Sequence, residues 1–106
     1  MPLATEQKKK LRGIGHGLHP VVTVASKGLS AAVLAEAARA LQDHELIKVR
    51  LTIEDRTERK RVGAQLCQEL GADPVQEIGK LILIYRHNPK ASPQLSNLHR
   101  VSARKP

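Results

Sequence analysis

Phenylalanine and tryptophan are absent from this chain, and Tyr85 is its only aromatic residue. A hydrophobic core must therefore be packed from Leu, Ile, Val and Ala. Cys67 is the only cysteine. That excludes an intramolecular disulfide and a Cys-rich zinc site, and it agrees with a reducing cytosol. Long apolar runs are missing as well. The stretch from Leu81 to Tyr85 is far too short to span a bilayer. The opening residues, Met1-Pro2-Leu3-Ala4-Thr5-Glu6, lack the apolar segment of a secretory signal. A cytoplasmic protein without membrane association is expected. With 106 residues, the chain has length for one domain and not for two.

What is abundant is positive charge, a formal +8 at pH 7, and it is unevenly placed. Residues 1–28 hold five basic side chains against Glu6 alone. Residues 29–86 hold nine basic and nine acidic side chains. Residues 87–106 hold Lys90, Arg100, Arg104 and Lys105 with no acid. The middle is an ordinary balanced surface, and the excess at both ends suits a polyanionic partner.

Seven elements can be read along the chain. Thr5 can cap a first helix running through Lys8-Lys9-Lys10, with Leu11, Ile14 and Leu18 on one stripe and Lys8, Lys9 and Arg12 pointing away from it. Gly13, Gly15 and Gly17 weaken its end, and Pro20 sets a boundary. Val21-Val22-Thr23-Val24 is a β-branched run and hence a strand. Ser30 caps a second helix that buries Val33, Ala37 and Leu41 and closes at His44-Glu45. Leu46 to Ile53 alternates as a strand, with Lys48, Arg50 and Thr52 against Ile47, Val49, Leu51 and Ile53. Glu54-Asp55-Arg56-Thr57 opens a third helix, whose acids suit its N-terminus. Val62, Leu66 and Leu70 form its stripe. Gly63 inside it costs about 1 kcal/mol relative to Ala, so close packing is expected there. Gly71 and Pro74 end the helix. Val75–Ile78 and Leu81–Tyr85 are strands joined by a two-residue turn at Gly79-Lys80. The order α-β-α-β-α-β-β predicts an α/β domain with a four-stranded mixed sheet and right-handed crossovers between parallel neighbours. Residues 1–88 form the expected domain. Residues 89–106, with three Pro, three Ser and no hydrophobic period, are expected to be a flexible basic tail.

The most specific local feature is the short connection from Val24 to Ser30. It joins a strand to a helix N-terminus, where free N–H groups bind anions. Gly28 can take positive φ, and Lys27 places a cation at the same spot. These parts suffice for a phosphate cradle, and equally for a plain strand-to-helix turn carrying an exposed lysine.

Several longer stretches add a resemblance. Leu18-His19-Pro20-Val21-Val22, Lys27-Gly28-Leu29, Val33-Leu34-Ala35-Glu36, His44-Glu45-Leu46-Ile47-Lys48-Val49, Gly71-Ala72, Val75-Gln76, Ile78-Gly79-Lys80 and Leu83-Ile84-Tyr85-Arg86 occur in the order seen in the bacterial YhbY family. That family is the stand-alone form of the CRM (chloroplast RNA splicing and ribosome maturation) domain, and the match spans residues 5 to about 88. The resemblance implies a fold similar to the C-terminal domain of translation initiation factor three. It also implies RNA binding, and association with precursors of the large ribosomal subunit. The family carries a GxxG loop after its first strand, similar in use to the backbone clamp of KH domains. Here the loop reads Ala25-Ser26-Lys27-Gly28, so Ala25 stands where the family has its first glycine. A positive φ at that position would be resisted by Ala.

With one aromatic residue, base stacking of the kind used by RRM and OB-fold modules cannot be the main source of affinity. Backbone and shape recognition of structured RNA remains. The expected RNA-binding residues are Lys8, Lys9, Lys10, Arg12, Ser26, Lys27, Gly28 and Arg56. No catalytic residues, no metal site and no cofactor are expected. His16 and His19 lack further ligands nearby, Glu54-Asp55 is explained by helix-start electrostatics, and no P-loop, dinucleotide or nucleophile motif is present. The expected protein is a monomer that contacts large-subunit ribosomal RNA or its precursor particle. The alternatives are a protein–protein adaptor on the ribosome and a nucleoid-type DNA binder.

Overall fold

The computed structural model describes residues 4–25, 28–92 and 95–98. Its elements are α1 (Thr5–Gly15), β1 (Pro20–Val24), α2 (Ala31–His44), β2 (Leu46–Leu51), α3 (Arg56–Leu70), β3 (Asp73–Ile78) and β4 (Leu81–Tyr85). This is the α/β order expected from the sequence. The strands form one mixed sheet in the order β1-β2-β4-β3. β1 and β2 pair in parallel, while β4 is antiparallel to both β2 and β3. The parallel-neighbour rule holds for β1 and β2. It does not hold for β2 and β3, because the tight hairpin from β3 returns β4 into the gap between them.

Local chemistry explains most element ends. The Ser30 side chain accepts a hydrogen bond from the Val33 N–H at 3.1 Å and caps α2. Asp55 accepts from the Thr57 N–H at 2.9 Å and caps α3. Gly71 closes α3 in the left-handed conformation. Gly79 has φ +55°, the first-position glycine of a type II′ hairpin turn. The α1 cap differs from expectation. Ala4 occupies the cap position, Thr5 is the first helical residue, and the Gln7 side chain accepts from the Ala4 N–H at 3.3 Å.

The sheet has two differently covered faces. On one, α2 and α3 pack against Val22, Val24, Ile47, Val49, Leu51, Ile82 and Ile84, with Ala37, Leu41, Val62, Leu66 and Cys67 supplied by the helices. Gly63 lets α3 approach this face closely: a Cβ there would stand 3.3 Å from Ile82 Cδ1 and 3.4 Å from Leu51 Cδ1. On the other face, α1 packs Leu11 against Leu46, Val75 and Leu83, with Ile14, Leu18 and Tyr85 at the margin. Gly15 is required here, because a Cβ would collide with the Leu83 side chain. Strand alternation assigns the residues: Ile47, Val49 and Leu51 go to the first face, and Leu46, Lys48 and Arg50 to the second.

The chain is tied down beyond residue 88, the boundary expected from composition. Glu45 is the anchor. It is buried, it ends α2 with φ +63°, and its carboxylate accepts from the Asn88 N–H and the Ser96 hydroxyl, both at 2.9 Å. Asn97 Nδ2 donates to the Leu46 carbonyl at 2.7 Å. His44 Nδ1 donates to the Leu95 carbonyl at the same distance. The packed domain thus reaches Leu98, which joins the α1 cluster. The rest of the segment expected to be a basic tail, 99–106, lies outside the described residues.

Candidate nucleic-acid interface

The loops of interest converge on one end of the sheet. β1 and β2 run in parallel, so their last residues, Val24 and Leu51, are neighbours. The Thr52 N–H and hydroxyl both donate to the Val24 carbonyl, at 2.9 and 3.2 Å. The Gly79-Lys80 turn joins them there, with the Leu51 N–H donating to the Lys80 carbonyl at 2.6 Å. This carboxyl end of the parallel strands is where open α/β sheets bind ligands.

The connection after β1 is a turn in which the Gly28 N–H donates to the Ala25 carbonyl at 2.9 Å. Gly28 has φ +86°, so glycine is needed at this position. Ala25 is different. Among the described residues, Glu45 is the only non-glycine with positive φ, so Ala25 sits in ordinary backbone and the missing first glycine strains nothing. Ser26 and Lys27, two of the expected RNA-binding residues, lie outside the described residues.

The two helix N-termini at this end are not equivalent. α2 has no acidic side chain in its first turn, so its partial positive charge is left for an external anion. α3 has Asp55 as its cap and Glu58 in its first turn, so its own carboxylates answer that charge. Arg56, at the start of α3, is exposed and lines a cleft of about 360 Å³ with Arg59, Lys60, Glu77 and Gly79.

Cations divide by what they already hold. Arg59 donates to the Ile53 and Glu54 carbonyls at 2.7 and 3.3 Å and clips the β2–α3 turn. Arg61 pairs with Glu58. Lys80 pairs with Glu54 at 2.5 Å, a hydrogen bond that holds the Glu54 carboxyl below its usual range. Arg86 donates to the Leu70 and Ala38 carbonyls and bridges the two helices. By contrast, Lys8, Lys9, Lys10, Arg12 and Arg56 have no side-chain partner among the described residues, so their charges are available.

Lys10 does not adjoin the loop after β1. It lines a depression with Gln7, Tyr85 and Leu98, so it lies at the opposite end of β4 from the Gly79-Lys80 turn. That strand is about 13 Å long. Lys8 lines a separate groove with Lys60, Pro74 and Val75, on the other flank of the helix. Successive residues on a helix point about 100° apart, so three adjacent lysines fan around α1 instead of forming one handle. Cys67 is buried against the core, and burial, with Asp73 and Glu77 adding to it, pushes its thiol up to about 11. Among the described residues, no group of three or more His, Cys, Asp or Glu side chains could hold a metal ion.

The chain belongs to the CRS1/YhbY (CRM) domain family, whose model matches residues 3–86. It is 51% identical over 100 residues to a probable RNA-binding protein of Pseudomonas aeruginosa, covering 94% of this chain and 96% of the relative. An RNA-binding protein of Haemophilus influenzae is 41% identical, covering 88% and 94%. The probable RNA-binding protein YqeI of Bacillus subtilis is 30% identical, covering 81% and 90%. The solution structure of a Staphylococcus aureus protein superposes with a TM-score of 0.76 at 27% identity, covering 85% of this chain and 94% of that one.

Proposed function

We propose that this protein binds structured RNA by its phosphate backbone and acts in the cytoplasm, as a monomer, on the large ribosomal subunit during assembly. The observation that carries the binding mode is the turn from Ala25 to Gly28, which delivers the chain into an acid-free helix N-terminus at the carboxyl end of the sheet. Backbone N–H groups at such a terminus suit one phosphate. Lys27, adjacent to Gly28 in sequence, supplies a cation, and Arg56 supplies another from the same end of the sheet. The names of the relatives support RNA as the ligand. The scarcity of aromatic residues supports backbone contact over base stacking. Lys10, at the far end of β4, and the other α1 cations serve as a second contact with a different part of the same RNA. The chemistry required is binding alone, with no cofactor and no reaction.

Sedimentation of a cell lysate through sucrose gradients at low and high salt tests the assignment. Co-migration with large-subunit precursors at low salt and release at high salt is the expected result. A protein that stays at the top of the gradient in both salts is not acting on ribosome assembly. Retention on the particles at high salt would favour a protein–protein adaptor.

A further inference from the structure

The face of the sheet that carries α1 is only half covered. α1 lies over Leu46, Val75 and Leu83 and stops at Gly15. Beyond it, one row of side chains is open and the next is partly so. The open row runs Thr23, Arg50, Leu81, Ile78 across all four strands, and in the next Lys48 and Gln76 flank Leu83, which is buried under α1. Neither row contains an acidic residue. Glu77, the nearest acid on β3, pairs with Ile82 and so belongs to the opposite face.

Three observations converge on this surface. Arg50 is exposed and Lys48 half-buried, and neither side chain has a partner among the described residues. Lys48 shares a depression with Gly15, His16, Gln76, Leu81 and Leu83, so its stem is packed on aliphatic side chains while its ammonium has no counter-charge. Val21 and Ile78, two of the three exposed large hydrophobic residues among the described ones, at 49% and 58%, flank the same face. The surface is also continuous with the loop read above as a phosphate site. Thr23 stands beside Arg50, and Ala25, where that loop begins, directly follows the last residue of β1. A polyanion held at the loop has one flat, acid-free surface to follow, because α2 and α3 cover the other face.

We propose that this uncovered half-face, centred on Lys48 and Arg50, carries the backbone of the RNA strand that continues from the loop after β1. The inference rests on the RNA-binding reading and extends it by giving the strand a path. Lys48 and Arg50, two residues apart on one strand, present their charges about 7 Å apart. The aliphatic flanks offer contact to riboses but no stacking surface, so the path has little sequence preference.

The test is the salt dependence of binding to a structured RNA, measured by fluorescence anisotropy. The full-length wild type is compared with Lys48→Gln/Arg50→Gln and with Arg39→Gln/Lys90→Gln, which makes the same change in charge on α2 and the C-terminal segment. The first variant should lose at least about tenfold in affinity, and its slope of log K against log salt should be shallower by about 1.4 to 1.8. The second variant should keep the wild-type slope. Thr23→Glu, which sets a carboxylate beside Arg50 from another strand, should weaken binding as well, and it decides the matter if the double variant fails to fold. Wild-type affinity and slope in both face variants would overturn the path while leaving RNA binding intact. If those variants bound RNA normally but left the ribosomal fractions, the face would belong to a protein contact and the path would equally fall. A wild type that binds no RNA at low salt would remove the RNA-binding reading itself, and the path with it.

Discussion

The two faces of the sheet are built from the same strands and do different work. The face under α2 and α3 is continuous aliphatic core, with Val24, Val49, Leu41, Leu66 and Ile84 at 0% exposure. The face under α1 is packed at one end and open at the other, where Lys48 and Arg50 replace aliphatic residues on the same strand. In a chain whose only aromatic ring is Tyr85, the filled face has to supply most of the stability. The half-open face is thereby released from that duty, and a surface with little effect on folding can carry charge without counter-charge.

Truncating one isoleucine on each face should separate the two most clearly. Ile84→Ala on the filled face should cost about 2–5 kcal/mol, measured by chemical denaturation. Ile78→Ala on the open face should stay within about 0.5 kcal/mol. A similar contrast exists within α1. Gly15→Ala drives a methyl into Leu83 and should destabilise by about 1–3 kcal/mol. At Gly13 a Cβ meets nothing within 4 Å, so Gly13→Ala should stabilise by about 0.5–1 kcal/mol through helix propensity. A pH-dependent effect concerns Cys67, the thiol hidden on the filled side. Its folded value, raised to about 11, lies above that of an unfolded thiol. Its contribution to stability is therefore fully present below about pH 8.5 and is lost as pH rises toward 11. The stability difference between wild type and Cys67→Ala should shrink by up to about 3 kcal/mol over that window, as followed by denaturant melts at each pH.

Much of this architecture was legible in the residues. The Ser30 cap, the close packing at Gly63, the Gly71 stop and the Gly79-Lys80 hairpin are local signals, decided within a few positions of the chain. What escaped is non-local. Period-2 alternation on β2 separates Ile47, Val49 and Leu51 from Lys48 and Arg50, but it does not say which face a distant helix covers or where that helix stops. The insertion of β4 between β2 and β3 is settled by pairing, not by propensity. The attachment of Asn88 and of residues 95–97 depends on hydrogen bonds to Glu45, Leu46 and His44, and polar contacts of this kind leave no hydrophobic period. Lysines 8 to 10 are adjacent in sequence, yet the helix turns them to different flanks. The candidate site was legible in part for the same reason. The turn at Gly28 has a local signature, whereas Lys48 and Arg50 read as the ordinary wet side of a strand.

On the proposed reading, RNA is held at a particular place and not by net charge alone. Lys27→Glu and Arg39→Glu change the charge of the protein equally, one beside the Gly28 turn and the other on the outer surface of α2. Binding to a structured RNA at fixed salt measures the difference most directly. Lys27→Glu should lose about tenfold or more in affinity and make the salt slope shallower by about one, while Arg39→Glu should stay close to wild type. Equal losses in the two variants, or none in either, would contradict that reading.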